Sequence, residues 1–257
     1  MIKIIFFDID GTLVNLGTTE ITPDVKKTLA KLHEKGIKLF IATGRPAFEV
    51  PVFEGVHFDG IMSFNGSYCM DESGVIYANA LDKNDVQTLI QNAKELGHIV
   101  QIAGKDNMVC NGYEENLSEY FVIAKQKLHF SDDFDTFSKG DLYQMMVAAT
   151  SDEYDALLKN TTKLQAVSWW PKACDIIPKD GGKGKAIENI LKHYGYTKEE
   201  SMAFGDGGND KDMLMAAGCG VAMGNARDEV KAIADYITDD VKEDGITTAC
   251  IRFGLIE

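Results

Sequence analysis

At 257 residues, with 45% hydrophobic and 26% charged residues, the chain has a globular composition and room for one large domain or two modest ones, which excludes disordered and fibrous classes. A formal charge of −14 argues against nucleic-acid or anionic-membrane partners, whose phosphates are held mainly by Lys and Arg. No apolar run approaches the ~20 residues of a spanning helix, and the first residues lack the pattern of a secretory signal, so a soluble, cytoplasmic protein is expected.

In chain order, "KIIFF" is a continuous apolar strand that runs into Asp8 and Asp10. "TPDVKKTLAKLHEKG" follows as a helix, with Thr22 as N-cap, Pro23 at the first helical position and Gly36 as stop. "IKLFIAT" and "DGIMSFNG" read as two more strands. Strand, helix, strand in this order predicts a parallel sheet buried on both faces by crossover helices. From about Leu81 to Gly182 the texture changes: partly alternating strands ("HIVQIAG", "MVCNG", "LYQMMVAAT", "KLQAVSWW", "CDIIPK") are interspersed with helical stretches ("DKNDVQTLIQNAKELG", "SDEYDALLKN"). Such alternation predicts an α+β unit with one sheet face open. The first rhythm then resumes, with "GKGKAIENILKHYG", "GNDKDMLMAAG" and "ARDEVKAIADY" as helices and "SMAFGD" and "CGVAMGN" as strands. The expected fold class is therefore α/β: a parallel-sheet core from residues 1–81 and 183–257, and an α+β domain inserted at 82–182.

Ligands of open α/β sheets sit outside the carboxyl ends of the strands, so the residues found there are the candidates. The first strand delivers Asp8 and Asp10, the second Thr43 and Gly44, and "SMAFGDGGND" delivers Asp206, Asn209 and Asp210. "GGKGK" puts a lysine at a helix start, where it adds to the positive dipole end instead of opposing it. An all-oxygen set of carboxylates suits Mg²⁺, while a hydroxyl, backbone amides and a lysine suit a phosphate group. The combination points to metal-assisted phosphoryl transfer. An aspartate attacking a phosphate at about 4 Å meets roughly 4 kcal/mol of repulsion per charge pair at an effective dielectric of ~20, which a divalent cation and a lysine can offset. Repulsion between two close carboxylates favours a proton on one of them, and the expectation is that Asp10 carries it while Asp8 stays ionised as nucleophile.

These residues carry a resemblance. "DIDGTL", "IATGR", the "KG" at Lys183 and "GDGGNDKDM" are similar, in order and spacing, to the four motifs of the haloacid dehalogenase superfamily of phosphatases. The long insertion between the second and third motifs resembles the type IIB cap of its Cof-type, sugar-phosphatase-like branch. The resemblance implies a Rossmann-like core with an inserted cap, and Mg²⁺-dependent hydrolysis of small phosphate monoesters, sugar phosphates foremost, through an aspartyl-phosphate on Asp8. It implies Asp10 as general acid and later base; Mg²⁺ on Asp8, the backbone carbonyl of Asp10, and Asp206; and Thr43, Gly44, Lys183 and Asn209 on the phosphate. Asp210 would orient Lys183 or a water on the metal. Of the two lysines in "KGK", the pattern favours Lys183 over Lys185.

Arg45 stands between two readings, a reach to the phosphate and an outer supporting or surface place. Trp169 and Trp170 are candidates to stack on a sugar ring, although alternation along a strand puts at least one of them in the core. His98 and His129 lack ligand-like spacing and read as packing or surface residues. Cys69, Cys110, Cys174, Cys219 and Cys250, odd in number and without a C-x-x-C pair, read as small buried hydrophobes. Three rival readings remain: a phospho-aspartate signalling module, which needs about half this length; a carbon–halogen hydrolase, which does not need Asp10 or the distal carboxylates; and a phosphosugar mutase. The insertion suffices to cover the site in a monomer.

Overall fold

A computed structural model describes residues 1–257. Its thirteen strands are β1 (Ile4–Phe7), β2 (Lys38–Ala42), β3 (Gly60–Ser63), β4 (Tyr68–Asp71), β5 (Gly74–Ala78), β6 (Val100–Gly104), β7 (Met108–Cys110), β8 (Leu142–Val147), β9 (Leu164–Trp170), β10 (Ala173–Pro178), β11 (Ser201–Gly205), β12 (Cys219–Ala222) and β13 (Tyr236–Ile237). They form an eight-stranded sheet in the order β13-β12-β11-β1-β2-β3-β4-β5 and a five-stranded sheet in the order β7-β6-β8-β10-β9.

In the larger sheet β1 lies between β2 and β11, parallel to both, with Ile4 opposite Lys38 on one side and Ser201 on the other. Every residue of β1 is buried, as a strand covered on both faces requires. Ile5 and Phe7 face one apolar cluster with Leu29 and Ile246, whereas Ile4 and Phe6 face another with Ile187, Ile190 and Leu214. The helix Pro23–Glu34 begins where Thr22 Oγ1 accepts from the Val25 amide, with Pro23 following, and the chain turns at Gly36 with φ 74°. β4 and β5 extend the sheet antiparallel at one edge, so it is mixed there and not parallel throughout.

The smaller sheet is wholly antiparallel. One face buries Val100, Met145 and Ile176 against Leu89 of the helix Lys83–Leu96, which starts on the side chain of Asp82 and ends at Gly97 in the left-handed region. The other face turns toward the strand ends of the larger sheet, and a helix at Glu115–Ile123, which no sequence pattern suggested, lies on that side. There Phe64 and Tyr68 share an apolar cluster with Tyr120, Phe121 and Met146. No helix is long and apolar enough to cross a membrane. All five cysteines are unpaired, and four of them are buried.

Candidate active site

The carboxyl ends of β1, β2 and β11 open into a cavity of about 400 Å³ roofed by the smaller sheet. Asp8, Asp10, Thr43, Gly44, Arg45, Asp206, Asn209 and Asp210 all border it. Lys183 stands just behind the wall.

Asp8 is fixed at the tip of β1 by its amide, which donates to Phe204 O at 3.0 Å. Lys183, 0% exposed, opens the helix Lys183–Tyr194 and sends Nζ between two carboxylates, 2.7 Å from Asp8 Oδ1 and 2.6 Å from Asp210 Oδ1. Gly182, with φ 117°, offers that helix no side-chain cap. Asp212 Oδ2 supplies one from the neighbouring helix, accepting the Gly184 amide at 2.9 Å. Lys185 points outward to Glu188. Lys183 is thus the lysine brought to the site, although it meets Asp8 and Asp210 and not the open cavity.

Asp210 Oδ2 accepts the amides of Asp206 and Gly207 at 3.0 and 2.9 Å, which folds the "GDGGND" turn on itself. Thr12 Oγ1 donates to Asp206 Oδ1 at 3.1 Å. Gly11, at φ 90°, passes so close to the Asp206 carboxylate that any β-carbon there would collide with it. The Asp8, Asp206 and Asp210 carboxylate oxygens lie within 4.8 Å of one another. One ammonium among three carboxylates leaves an excess of negative charge in a buried place. Burial first, then the charge of Asp210, push Asp8 up to about 7 against the pull of Lys183. Burial and then Asp8 raise Asp206 well above the ordinary range. Hard oxygen donors under mutual repulsion are the donor set a divalent cation of the Mg²⁺ type would relieve, so the residues present fit such an ion.

Burial at the sheet end and proximity to Asp210 act on Asp8, while Asp10 sits half-buried in a fork from Arg45: Nε to Oδ2 at 2.9 Å and Nη2 to Oδ1 at 2.7 Å. Arg45 is thus buried against Asp10 and not on the surface. Thr43 Oγ1 accepts the Arg45 amide at 3.1 Å, and Asn209 Nδ2 donates to Asn65 Oδ1 at 2.9 Å.

The roof of the cavity includes Tyr120, Phe121, Ile123, Gln144, Met146 and both tryptophans. Strand alternation had put at least one tryptophan in the core; instead both are half-buried at the cavity, beside a register shift in the β9–β10 pairing. Trp169 packs on Tyr120 at 4.9 Å between ring centroids, and Trp170 carries the Lys172 ammonium at 5.2 Å. His98 bridges Glu114 and Glu153 within the smaller sheet's unit, and His129 meets Glu49, so neither joins the site.

Sequence reasoning missed Asn65, Gln144, Asp175, Asn225 and Arg227. Asn225 Nδ2 donates to Gly11 O at 2.8 Å, and the Arg227 guanidinium holds Trp169 O, tying the roof to the floor. A polar residue inside an apolar strand run, as in "LYQMMV" and "CDIIP", was the available signal for Gln144 and Asp175.

Comparison with known proteins agrees with this geometry. The profile of the haloacid dehalogenase-like hydrolase family matches residues 5–249. YkrA of Bacillus subtilis (strain 168), provisionally named a phosphatase, is 34% identical over 99% of this chain and 99% of its own. Among solved structures, the HAD subclass IIB sugar phosphatase BT4131 superposes with TM-score 0.89 at 34% identity, over 99% of this chain and 100% of that one. The phosphatase BT1666 from Bacteroides thetaiotaomicron superposes with TM-score 0.91 at 31% identity, over 100% of this chain and 96% of that one. The chain belongs to the haloacid dehalogenase-like hydrolase family and is a phosphatase.

Proposed function

We propose that the protein hydrolyses small phosphate monoesters, sugar phosphates foremost, by forming and breaking an aspartyl-phosphate on Asp8 with the help of Mg²⁺. The observation that carries this reading is the placement of Asp8 at the cavity floor, with one oxygen on the buried ammonium of Lys183 and Asp10 two residues away. The likeness to the sugar phosphatase BT4131 supports the choice of substrate class.

Asp8, Asp206 and the backbone carbonyl of Asp10 would hold the metal, which supplies positive charge between the attacking carboxylate and the phosphate. Thr43 Oγ1, the Gly44 amide and the Asn209 amide bind phosphoryl oxygens. Lys183, held by Asp210, neutralises Asp8 and the charge that gathers on the transferring group. An Asp8 oxygen attacks phosphorus, the ester bond breaks, and Asp10 gives its proton to the leaving oxygen. Asp10, now a carboxylate, takes a proton from a water that attacks the phosphorus of the acyl phosphate. Orthophosphate leaves and Asp8 is restored. Residues 82–182 act as the cap, closing over the core of 1–81 and 183–257 to exclude bulk water and meet the leaving group.

Phosphate release from a panel of sugar phosphates and a generic aryl phosphate, with Mg²⁺ and with chelator, tests this beside Asp8→Asn. Metal-dependent release that vanishes in the variant is expected. Release that survives Asp8→Asn would remove the covalent step.

A further inference from the structure

A buried chain of hydrogen bonds runs from the phosphate cleft into the smaller sheet. Asn209 borders the cavity; Asn65, whose Oδ1 accepts from it at 2.9 Å, stands behind the wall and is 1% exposed. Asn65 Nδ2 donates to Gln144 Oε1 at 3.0 Å and to Asp175 Oδ2 at 2.9 Å. Gln144 Nε2 turns back to Gly44 O at 3.1 Å, and Asp175 Oδ1 accepts from Tyr120 Oη at 2.6 Å. Asn65 and Gly44 follow strands of the larger sheet, whereas Gln144, Asp175 and Tyr120 belong to the roof.

The polarity of this chain is determined from one end. A carboxylate only accepts, so Asp175 must face the nitrogen of the Asn65 amide. Asn65 Oδ1 is then left for Asn209, and Asn209 must present its own nitrogen. One N–H of Asn209 is thereby used, and the other remains for an anion in the cavity. Burial pushes Asp175 up to about 6, with Tyr120 and Asn65 pulling the other way, so at neutral pH it is the acceptor this scheme requires. The backbone is fixed as well: Asn65 lies in the left-handed region at φ 51° and ψ 36°, and its amide donates to Thr43 O at 3.0 Å. A β-carbon on Gly44 would sit 3.0 Å from Asn65 Nδ2, so glycine admits the amide there. Joining two sheets needs no such network, since apolar packing does so without desolvating polar groups. This one ends on two positions of the phosphate cleft.

We propose that Asn65 is a positioning residue that couples seating of the cap to phosphate binding. Asp175 and Gln144 on the cap set its amide, and Asn65 sets Asn209 and, with Gln144, the strand end at Thr43 and Gly44. The proposal rests on the reading of the cleft given above. Coupling is reciprocal, so a phosphoryl group in the cleft favours the seated cap, and a cap that cannot hold Asn65 binds phosphate less well. Asp175 thereby governs an affinity for a ligand it never touches.

The test is orthophosphate affinity by calorimetry in Mg²⁺, with KM and kcat on an aryl phosphate and a thermal melt, for wild type, Asn65→Gly, Asp175→Ala and Asp175→Asn. Asn65→Gly keeps the left-handed backbone and loses the amide, and Asp175→Ala breaks the chain at its other end. Each is expected to weaken orthophosphate binding and raise KM about tenfold, the worth of one hydrogen bond to a charged group. Asp175→Asn still accepts from Asn65 and can donate to Tyr120 Oη, so it stays within about twofold of wild type. The double variant Asn65→Gly with Asp175→Ala is no worse in affinity than Asn65→Gly alone. Lower melting temperatures with orthophosphate affinity and KM unmoved would reduce the network to structural glue and overturn the proposal; should Asp175→Ala not fold, Asn65→Gly alone decides. A wild type that neither binds nor releases orthophosphate would sink the reading of the cleft, and this proposal with it.

Discussion

Arg45 holds Asp10 by two parallel hydrogen bonds, Nε to Oδ2 at 2.9 Å and Nη2 to Oδ1 at 2.7 Å, from a residue only 7% exposed. A fork of this kind fixes the plane of the carboxyl group as well as its position. Arg45→Lys keeps the charge and loses the fork. Steady-state kinetics in Mg²⁺ should then show kcat down about tenfold with KM changed less than about threefold. A raised KM at unchanged kcat would instead place Arg45 on the substrate.

Neutralising Asp8 removes one of three clustered carboxylates, two of which share a single buried ammonium. In chelator, Asp8→Asn should therefore melt at or above wild type, by up to about 2–4 °C, while releasing no phosphate. Melting several degrees below wild type would show that the Asp8–Lys183 pair holds the fold more than it loads the site.

Metal binding to this cluster should be visible without any substrate. At a Mg²⁺ concentration about 100 times its Kd the folded state gains about 2.7 kcal/mol, and the melting temperature rises accordingly. Asp206→Asn should lose most of that rise, and chelation should abolish turnover of the wild type. An equal rise in Asp206→Asn would move the ion elsewhere.

A pH effect is expected at the far end of the Lys183 helix. Burial would raise Asp71, but hydrogen bonds from Ser73 and from Tyr194 Oη outweigh it and draw the carboxyl down from 3.8 to about 2. The unfolded chain takes up a proton there before the folded one does, so this contribution is complete above about pH 4 and disappears as the pH falls toward about 2. Urea melts should show wild type more stable than Asp71→Asn at pH 6, with the gap closing between about pH 4 and pH 2. A gap independent of pH would mean that Asp71 acts by shape alone.

The elements legible in the sequence were those whose signals are local. Thr22, Pro23 and Gly36 bracket a helix within one window, and the aspartates at the ends of β1 and β11 announce themselves beside glycines. The helix Glu115–Ile123 gave no such signal, because Glu114 forms no side-chain cap for it. The predicted helix "ARDEVKAIADY" shrinks to Asp228–Lys231, since Asp235 exchanges hydrogen bonds with Gly220 and draws the chain into β13. Asn65 fell within the strand read at "DGIMSFNG"; its partners at 144, 175 and 209 are neighbours only after both sheets have formed.

The seating of β1 between β2 and β11 bears on how the chain is made. Its partner Lys38 emerges from the ribosome early, but Ser201 arrives only after the whole antiparallel sheet has been translated. Until Ser201 is made β1 has one free edge, while the inserted unit, continuous in sequence, has all its strands once Pro178 is made. Released chains ending near residue 190 should be cut by protease in 1–81 and spared in 82–182. β1, made before both of its neighbours, is then among the last strands to be enclosed, and the stretch that carries Asp8 is the one most open to wrong pairing in the newborn chain.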